Sequence, residues 1–490
     1  MTKATKALMF QGTGSDVGKS LMVAGLARAY ANRGLSVRPF KPQNMSNNAA
    51  IAGDGGEIGR AQYLQALAAR AVPSVHMNPV LLKPQTDIGA QIIVRGQVRG
   101  AANAREYQHL KAGLLEEVLE SFRINGSGAD LVLVEGAGSP AEINLPGRDI
   151  ANMGFAGAAN VPVILVADID RGGVIASIVG THAVIADDAR ARIMGYVINK
   201  FRGDVSLFDT GLEEISERTG WASLGIAPYF PNAVHLPAED AVVLDKPAKS
   251  NDGAILIAVP KLSRIANFDD LDPLNAESDA EVRIIPPGEI MPVDADLILL
   301  PGSKATIADL AFLRRQGWDI DILSHYRRGG HILGICGGYQ MLGRTIADPN
   351  GIEGSVRKAD GLGLLDIETV LSAEKSLGER TGKHVESGKA LHGYEIHLGH
   401  SDGPDRARPF LKINGAADGA RSTDGRVEGC YLHGLFRADV FRHAYLSALR
   451  ARAQSGINHH VLVDRTLDSL AAHLEDNLDL DRMLEIAHAA

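Results

Sequence analysis

Two stretches of this sequence hold reactive residue types at the spacing that chemistry requires. The first is Gly12-Thr13-Gly14-Ser15-Asp16-Val17-Gly18-Lys19-Ser20, set between the apolar run Lys6–Gln11 and a helical pattern. A glycine-rich turn from strand to helix aims backbone N–H groups and the helix N-terminus at phosphate. Lys19 would meet the phosphates of a nucleotide and Ser20 a magnesium ion. The strict pattern GxxxxGK[ST] needs glycine at position 13, where this chain has threonine, so the loop is a deviant phosphate loop. The second stretch is Gly334-Ile335-Cys336-Gly337-Gly338, which follows the apolar HIL and precedes a helical pattern. Small neighbours permit a sharp elbow that exposes a nucleophile. The helix N-terminus favours the thiolate, and the Gly337 N–H is placed to stabilise an oxyanion. His433, in YLHGLF, supplies the base a thiol needs.

Other side chains are candidates by position. Glu135 ends the apolar run DLVLVE, where open parallel sheets place ligands, and is the natural magnesium ligand. Asp54 and Glu57, in the glycine-rich turn after Lys41, would add to the metal shell. The segments KPQNMSNN, SPAEINL and DIDRGG carry hydrogen-bonding side chains without an obvious nucleotide role. Lys41, Gln43, Asn44, Lys83, Arg171 and Arg202 are the cations and amides that these and neighbouring segments offer to a substrate.

The elements that must position these residues alternate. From Lys6 to about Phe230 short apolar runs alternate with helical patterns, which predicts an α/β unit with a parallel sheet covered by helices on both faces. Pro231, Pro237 and Pro247 punctuate the stretch before a new strand, AILIAVP. The expected organisation is a first domain over residues 1–235, a linker over 236–252, a second α/β domain over 253–448 and a helical tail over 449–490. The 54 glycines among 490 residues exceed the usual ~7%, as loops that approach ligands closely would require.

Composition excludes other classes. A net charge of -9, with no basic stripe, argues against nucleic-acid binding. No apolar run approaches the ~18 residues of a membrane span. Two cysteines, Cys336 and Cys430, make no disulfide framework, and the chain reads as cytoplasmic with reduced thiols.

The first site, Gly12 to Ser20, resembles the dethiobiotin-synthetase-like amide and carboxylate ligases, whose pattern is GTxxxxVGKT. That resemblance implies ATP and magnesium as ligands, a P-loop ligase domain at the N-terminus, and Asn199 with the turn at Pro228 as the segments that hold adenine. GICGGYQMLG together with YLHG resembles the class I glutamine amidotransferases. Most of that class carries a glutamate two positions after the histidine, where this chain has Leu435. The cobyric and cobyrinic acid synthase branch is similar in lacking that glutamate, and in using PGSK (Pro301 to Lys304) as the oxyanion-side loop, so Gly302 joins Gly337 there. Glu395 in GYEIHLG is a candidate by charge for orienting His433.

The ordered set KPQNMSNNA, NPVLLKPQTD, EGAGSPAEINL, ADIDRGG, INKFRGD, PGSK, GICGGYQMLG and GYEIHLG is similar to one arm of that branch. The resemblance implies ATP- and L-glutamine-dependent amidation of the b, d, e and g carboxylates of adenosylcobyrinic acid a,c-diamide, with no permanently bound cofactor. The alternative within the branch is amidation at the a and c positions. The alternative from another class is a partition-type P-loop ATPase switch, which leaves Cys336 and His433 without a role.

Overall fold

The computed structural model describes residues 6–85, 89–144, 149–239, 244, 253–452 and 456–489. Parts of three expected segments, Leu145 of SPAEINL, Thr86 and Asp87 of NPVLLKPQTD and most of the linker, lie outside the described residues.

The first domain is built on six parallel strands in the order Ala222–Pro228, Ile193–Phe201, Val163–Asp168, Ala7–Gly12, Leu131–Glu135, Val37–Phe40. Successive side chains of a strand point to opposite faces, and both faces here are apolar. Leu8 and Phe10 enter one core, with helix α1 (Lys19–Asn32), while Ala7 and Met9 enter the other. Helices therefore cover both faces, as the alternating pattern predicts. A four-stranded sheet (Gln43–Met45, Val80–Pro84, Gly89–Val94, Gln97–Asn103) and helix α2 (Arg60–Ala68) are inserted between the second and third strands of the chain.

The second domain has a central sheet in the order Ala280–Ile285, Ile255–Pro260, Leu297–Leu300, His331–Ile335, Val427–Cys430, Ala420–Arg421, antiparallel only at the last pair. A long hairpin, Glu368–His384 with Ala390–Asp402, folds over the ends of these strands. The tail helices His459–Glu475 and Leu480–Ala489 leave the second domain and return to the first. Their Leu467, Leu470, Leu474 and Met483 fill the α1 face of its sheet, and Arg28, buried in α1, bonds Asp464 at 2.6 Å.

Candidate active site

The strand His331–Ile335 ends at Cys336, whose φ of 53° and ψ of -110° lie outside the regions that non-glycine residues favour. Such a conformation costs about 1–3 kcal/mol and is held by its surroundings. Here the surroundings are backbone. A Cβ on Gly338 would lie 2.1 Å from the Leu300 carbonyl oxygen, and one on Gly334 2.7 Å from Gly338. The Cys336 N–H donates to the Cys430 carbonyl at 2.8 Å. Helix Gly337–Leu342 starts at the next residue, as the elbow requires.

His433 is buried beside Cys336, within hydrogen-bonding reach of the sulfur. Two backbone hydrogen bonds to Tyr394, of 2.9 and 3.0 Å, fix its main chain, and the Tyr394 ring stacks on the imidazole at 5.4 Å and 18°. Its Nδ1 lies 2.7 Å from Asp270 Oδ2, and the other Asp270 oxygen accepts the Gly434 N–H. Burial alone would lower the imidazole's pKa, but Asp270 and the Cys336 sulfur raise it to about 10. The array can therefore hold an imidazolium beside the sulfur of a cysteine nucleophile.

Asp270 thus holds the imidazole in a chain with Leu435 two positions after the histidine, and sequence reasoning missed it. Glu395, the expected candidate, instead accepts from Ser376 at 2.8 Å and from Arg380 at 3.1 Å. It faces across the hairpin, away from the imidazole. Asp270 comes from a short 3-10 turn, Phe268–Leu271, 163 residues before His433. The only sequence signal was an acidic pair inside an apolar stretch, NFDDL. Gly302 packs on the imidazole, since a Cβ there would sit 2.9 Å from its Cε1, and Gly337 packs on Ser303, so the PGSK loop and the elbow meet beside the sulfur. Burial pushes the Cys430 thiol well up, as suits a packed residue.

At the other centre Ser20 Oγ donates to Glu135 Oε1 at 2.7 Å and to Glu239. Lys19 is buried and donates to the carbonyls of Gly14 and Gly138 at 3.1 and 3.2 Å. Gly18 (φ 94°) leaves room for Asn199, whose amide would lie 2.4 Å from a Cβ there and donates to the Val17 carbonyl at 2.8 Å. A hydroxyl and two carboxylates converging beside a phosphate-type loop are the hard oxygen donors that magnesium takes. Ser20, Glu135 and Glu239 fit that ion.

Four expectations change here. Asp54 accepts from Ser74 Oγ at 2.7 Å and caps the next turn, so it is no part of this cluster. Lys41 is not a free cation: its Nζ lies 2.8 Å from both Glu135 and Glu239. Burial would strip its charge, but the two carboxylates hold it protonated above the ordinary lysine range. Lys83 is buried 2.6 Å from Glu57, beside Lys304 and Lys375 in a small cavity at Cys336, so both residues belong to the domain interface. Glu239, inside the expected linker, is part of the site. A charge in a sequence does not announce its partner.

Arg171 remains an exposed cation at the rim, 3.2 Å from Asp16, and Arg202 pairs with Asp170. Gln43, accepting from Tyr107 at 2.7 Å, and Asn44, donating to Gln62 at 2.8 Å, line the same space. That space is a cavity of about 1630 Å³, bounded by the phosphate loop on one side and by Phe268 and Leu271 of the second domain on another.

Fold and centres together define a glutamine amidotransferase joined to a nucleotide-binding domain. The family profile of the CobQ/CobB/MinD/ParA nucleotide-binding domain matches residues 8–243, and that of the CobB/CobQ-like glutamine amidotransferase domain matches residues 256–441. The cobyric acid synthase of Brucella suis biovar 1 is 60% identical over 98% of this chain and all of that protein. The cobyric acid synthase of Mesorhizobium japonicum is 59% identical over 98% of this chain and 99% of its own length. The chain belongs to the cobyric acid synthase family.

Proposed function

We propose that the chain amidates the b, d, e and g carboxylates of adenosylcobyrinic acid a,c-diamide, at the expense of ATP and with nitrogen from glutamine. One observation carries the reading: the two centres flank one domain interface, where Phe268 and Leu271 of the second domain line the phosphate-loop cavity and Lys83 of the first lines the small cavity at Cys336. Neither centre alone makes an amide from a free carboxylate and glutamine.

In the second domain Cys336 attacks the glutamine amide carbon while His433, held by Asp270, passes a proton to the departing ammonia. Gly302 and Gly337 stabilise the oxyanion. Water then releases glutamate from the thioester. In the first domain the loop Gly12–Ser20 holds ATP with Lys19 on its phosphates and Asn199 toward the base. A corrin carboxylate takes the terminal phosphoryl group, and ammonia displaces phosphate from the acyl phosphate. Magnesium, held by Ser20, Glu135 and Glu239, would neutralise charge on the transferring phosphoryl group.

Support for a corrinoid is the cavity's size, since about 1630 Å³ exceeds the ~300–1,000 Å³ usual for small-molecule sites. Arg171, Gln43 and Asn44 are the polar groups offered to its side chains. The reading includes action in the cytoplasm, supported by two free, buried cysteines. Among the described residues no helix is long and apolar enough to cross a membrane.

The test is mass spectrometry of the corrinoid after incubation with the protein, ATP, magnesium and glutamine labelled at the amide nitrogen. Stepwise gain of four labelled nitrogens is expected. Label entering unamidated cobyrinic acid, but not its a,c-diamide, would move the assignment to the a and c positions. ATP turnover with no labelled corrinoid from either would favour a switch.

A further inference from the structure

Helix α2 belongs to the nucleotide-binding domain, yet it touches both centres. Its first residue, Arg60, is buried and reaches into the second domain, where one Nη2 lies 2.5 Å from the Tyr394 hydroxyl and 3.1 Å from Asp269 Oδ2. The same nitrogen donates to the Ala49 carbonyl at 2.8 Å, which ties it to its own domain. Its guanidinium also lies 5.0 Å over the Tyr394 ring, the ring that stacks on His433. Asp269 precedes Asp270, which holds His433 Nδ1, and takes a second arginine, Arg437, from the other side. The turn carrying both aspartates is further pinned by Asn267, which accepts the Ala49 N–H at 3.1 Å. The two side chains that orient the imidazole, Tyr394 and Asp270, are thus in contact with one side chain of the other domain or adjacent to such a contact.

Further along α2, Gln62 and Gln65 reach the phosphate-loop centre. Gln65 Nε2 donates to Glu135 Oε2 at 2.7 Å and to the Ser20 carbonyl at 3.2 Å, and Gln62 lies 3.4 Å from the same carboxylate oxygen. Five residues of helix separate Arg60 from Gln65, a rise of about 7.5 Å. A helix of this length moves as a rigid piece, so a change at Glu135 is felt at Asp269.

We propose that Arg60 is a positioning residue for glutamine hydrolysis, contributed by the nucleotide-binding domain, and that α2 carries the state of the nucleotide site to His433. The proposal rests on the amidotransferase reading above and names the contact that joins its two halves. Arg60 does not meet the glutamine. It holds Tyr394 and Asp269, and through them the stacking face and the turn that fix the imidazole.

The titratable groups facing His433 are Asp270, Cys336, Asp269, Tyr394 and His397, with Arg437 paired to Asp269. Removing the Arg60 charge leaves Asp269 less neutralised, which favours the imidazolium. The alkaline limb of glutamine hydrolysis, where that imidazolium loses its proton, therefore moves to higher pH.

The experiment compares the full-length chain with Arg60→Met and Arg60→Lys, following glutamine hydrolysis and, in the same preparations, ammonium-driven amidation of the corrinoid. Arg60→Met is expected to lower the kcat of glutamine hydrolysis roughly tenfold or more with KM within about threefold, and to raise the alkaline limb. It also removes the response of hydrolysis to ATP and corrinoid, while ammonium-driven amidation stays within about threefold. Arg60→Lys restores the limb but not kcat, because a compact ammonium on a shorter stem does not lie over the Tyr394 ring as the planar guanidinium does.

Hydrolysis at the unaltered rate, equal loss of both reactions, or a wild-type rate blind to ATP and corrinoid would overturn the proposal. Asp269→Asn, alone and combined with Arg60→Met, approaches the contact from the other domain. Additive effects there would also overturn it. Failure of ammonium-driven amidation in the unaltered chain would instead count against the proposed substrate, since hydrolysis is read separately.

Discussion

The two centres are held in place by different means. Around Cys336 the constraint is main chain: a left-handed φ, glycines whose added Cβ would strike carbonyls, and backbone bonds from Cys336 to Cys430 and between His433 and Tyr394. Around Ser20 the constraint is charge: Lys41 buried between Glu135 and Glu239, with Gln62 and Gln65 completing the shell. Backbone constraint makes a site that is ready before its substrate arrives. Buried charges persist only when paired, so the second site is stable because its ion pairs close on themselves, and a ligand must exchange those partners for its own. Main chain thus sets the elbow at Cys336, and exchangeable ion pairs set the nucleotide centre.

That contrast can be broken at either end. The largest effect is expected for Cys336→Ala, which should lower glutamine-driven amidation by about 10⁴-fold or more while ammonium still supports the reaction. Loss of both would mean that the centres are not separable. Glu135→Gln should do the reverse: amidation from either nitrogen source falls by about 10³-fold, and glutamine hydrolysis continues. The comparison fails if ammonium-driven amidation survives that change.

Asp270→Asn should lower glutamine hydrolysis by about 10²-fold. It should also move the alkaline limb to lower pH, because the carboxylate is what raises His433 against its burial. The shift is opposite in sign to that of Arg60→Met, and pH profiles of both variants separate the two roles. The smallest effects are expected where the sequence misleads. Glu395→Gln should leave hydrolysis within about threefold, and Asp54→Ala should leave the magnesium dependence of amidation within the same bound. A tenfold loss in either would restore the residue to its site.

The pattern of these residues explains what the sequence tells and what it hides. Cys336 and Lys19-Ser20 are legible because a strand, a turn and a helix follow one another along the chain, so local motif and local geometry coincide. The parallel sheet with two covered faces is legible for a similar reason, in runs such as Ala7–Phe10 that are apolar at every position. His433 is legible only through its likeness to a family motif. Asp270, Glu239 and Arg60 are hidden, since each reaches its partner across a long sequence separation and none belongs to a motif. Lys41 and Lys83 were visible as cations but not as paired ones, because pairing is decided by where other strands end.

The helices His459–Glu475 and Leu480–Ala489 have a consequence for how the molecule is made. They cover the α1 face of a sheet whose last strand ends at Pro228. On a ribosome that sheet emerges first, yet roughly two hundred residues of the second domain must follow before its covering appears. At about 5–20 residues per second this is a delay of roughly ten to fifty seconds. Through that interval Tyr30, Leu26 and Met22 of α1 lack their apolar cover, so the nascent chain is exposed to aggregation at its oldest part. The first domain to be translated is the last to be finished.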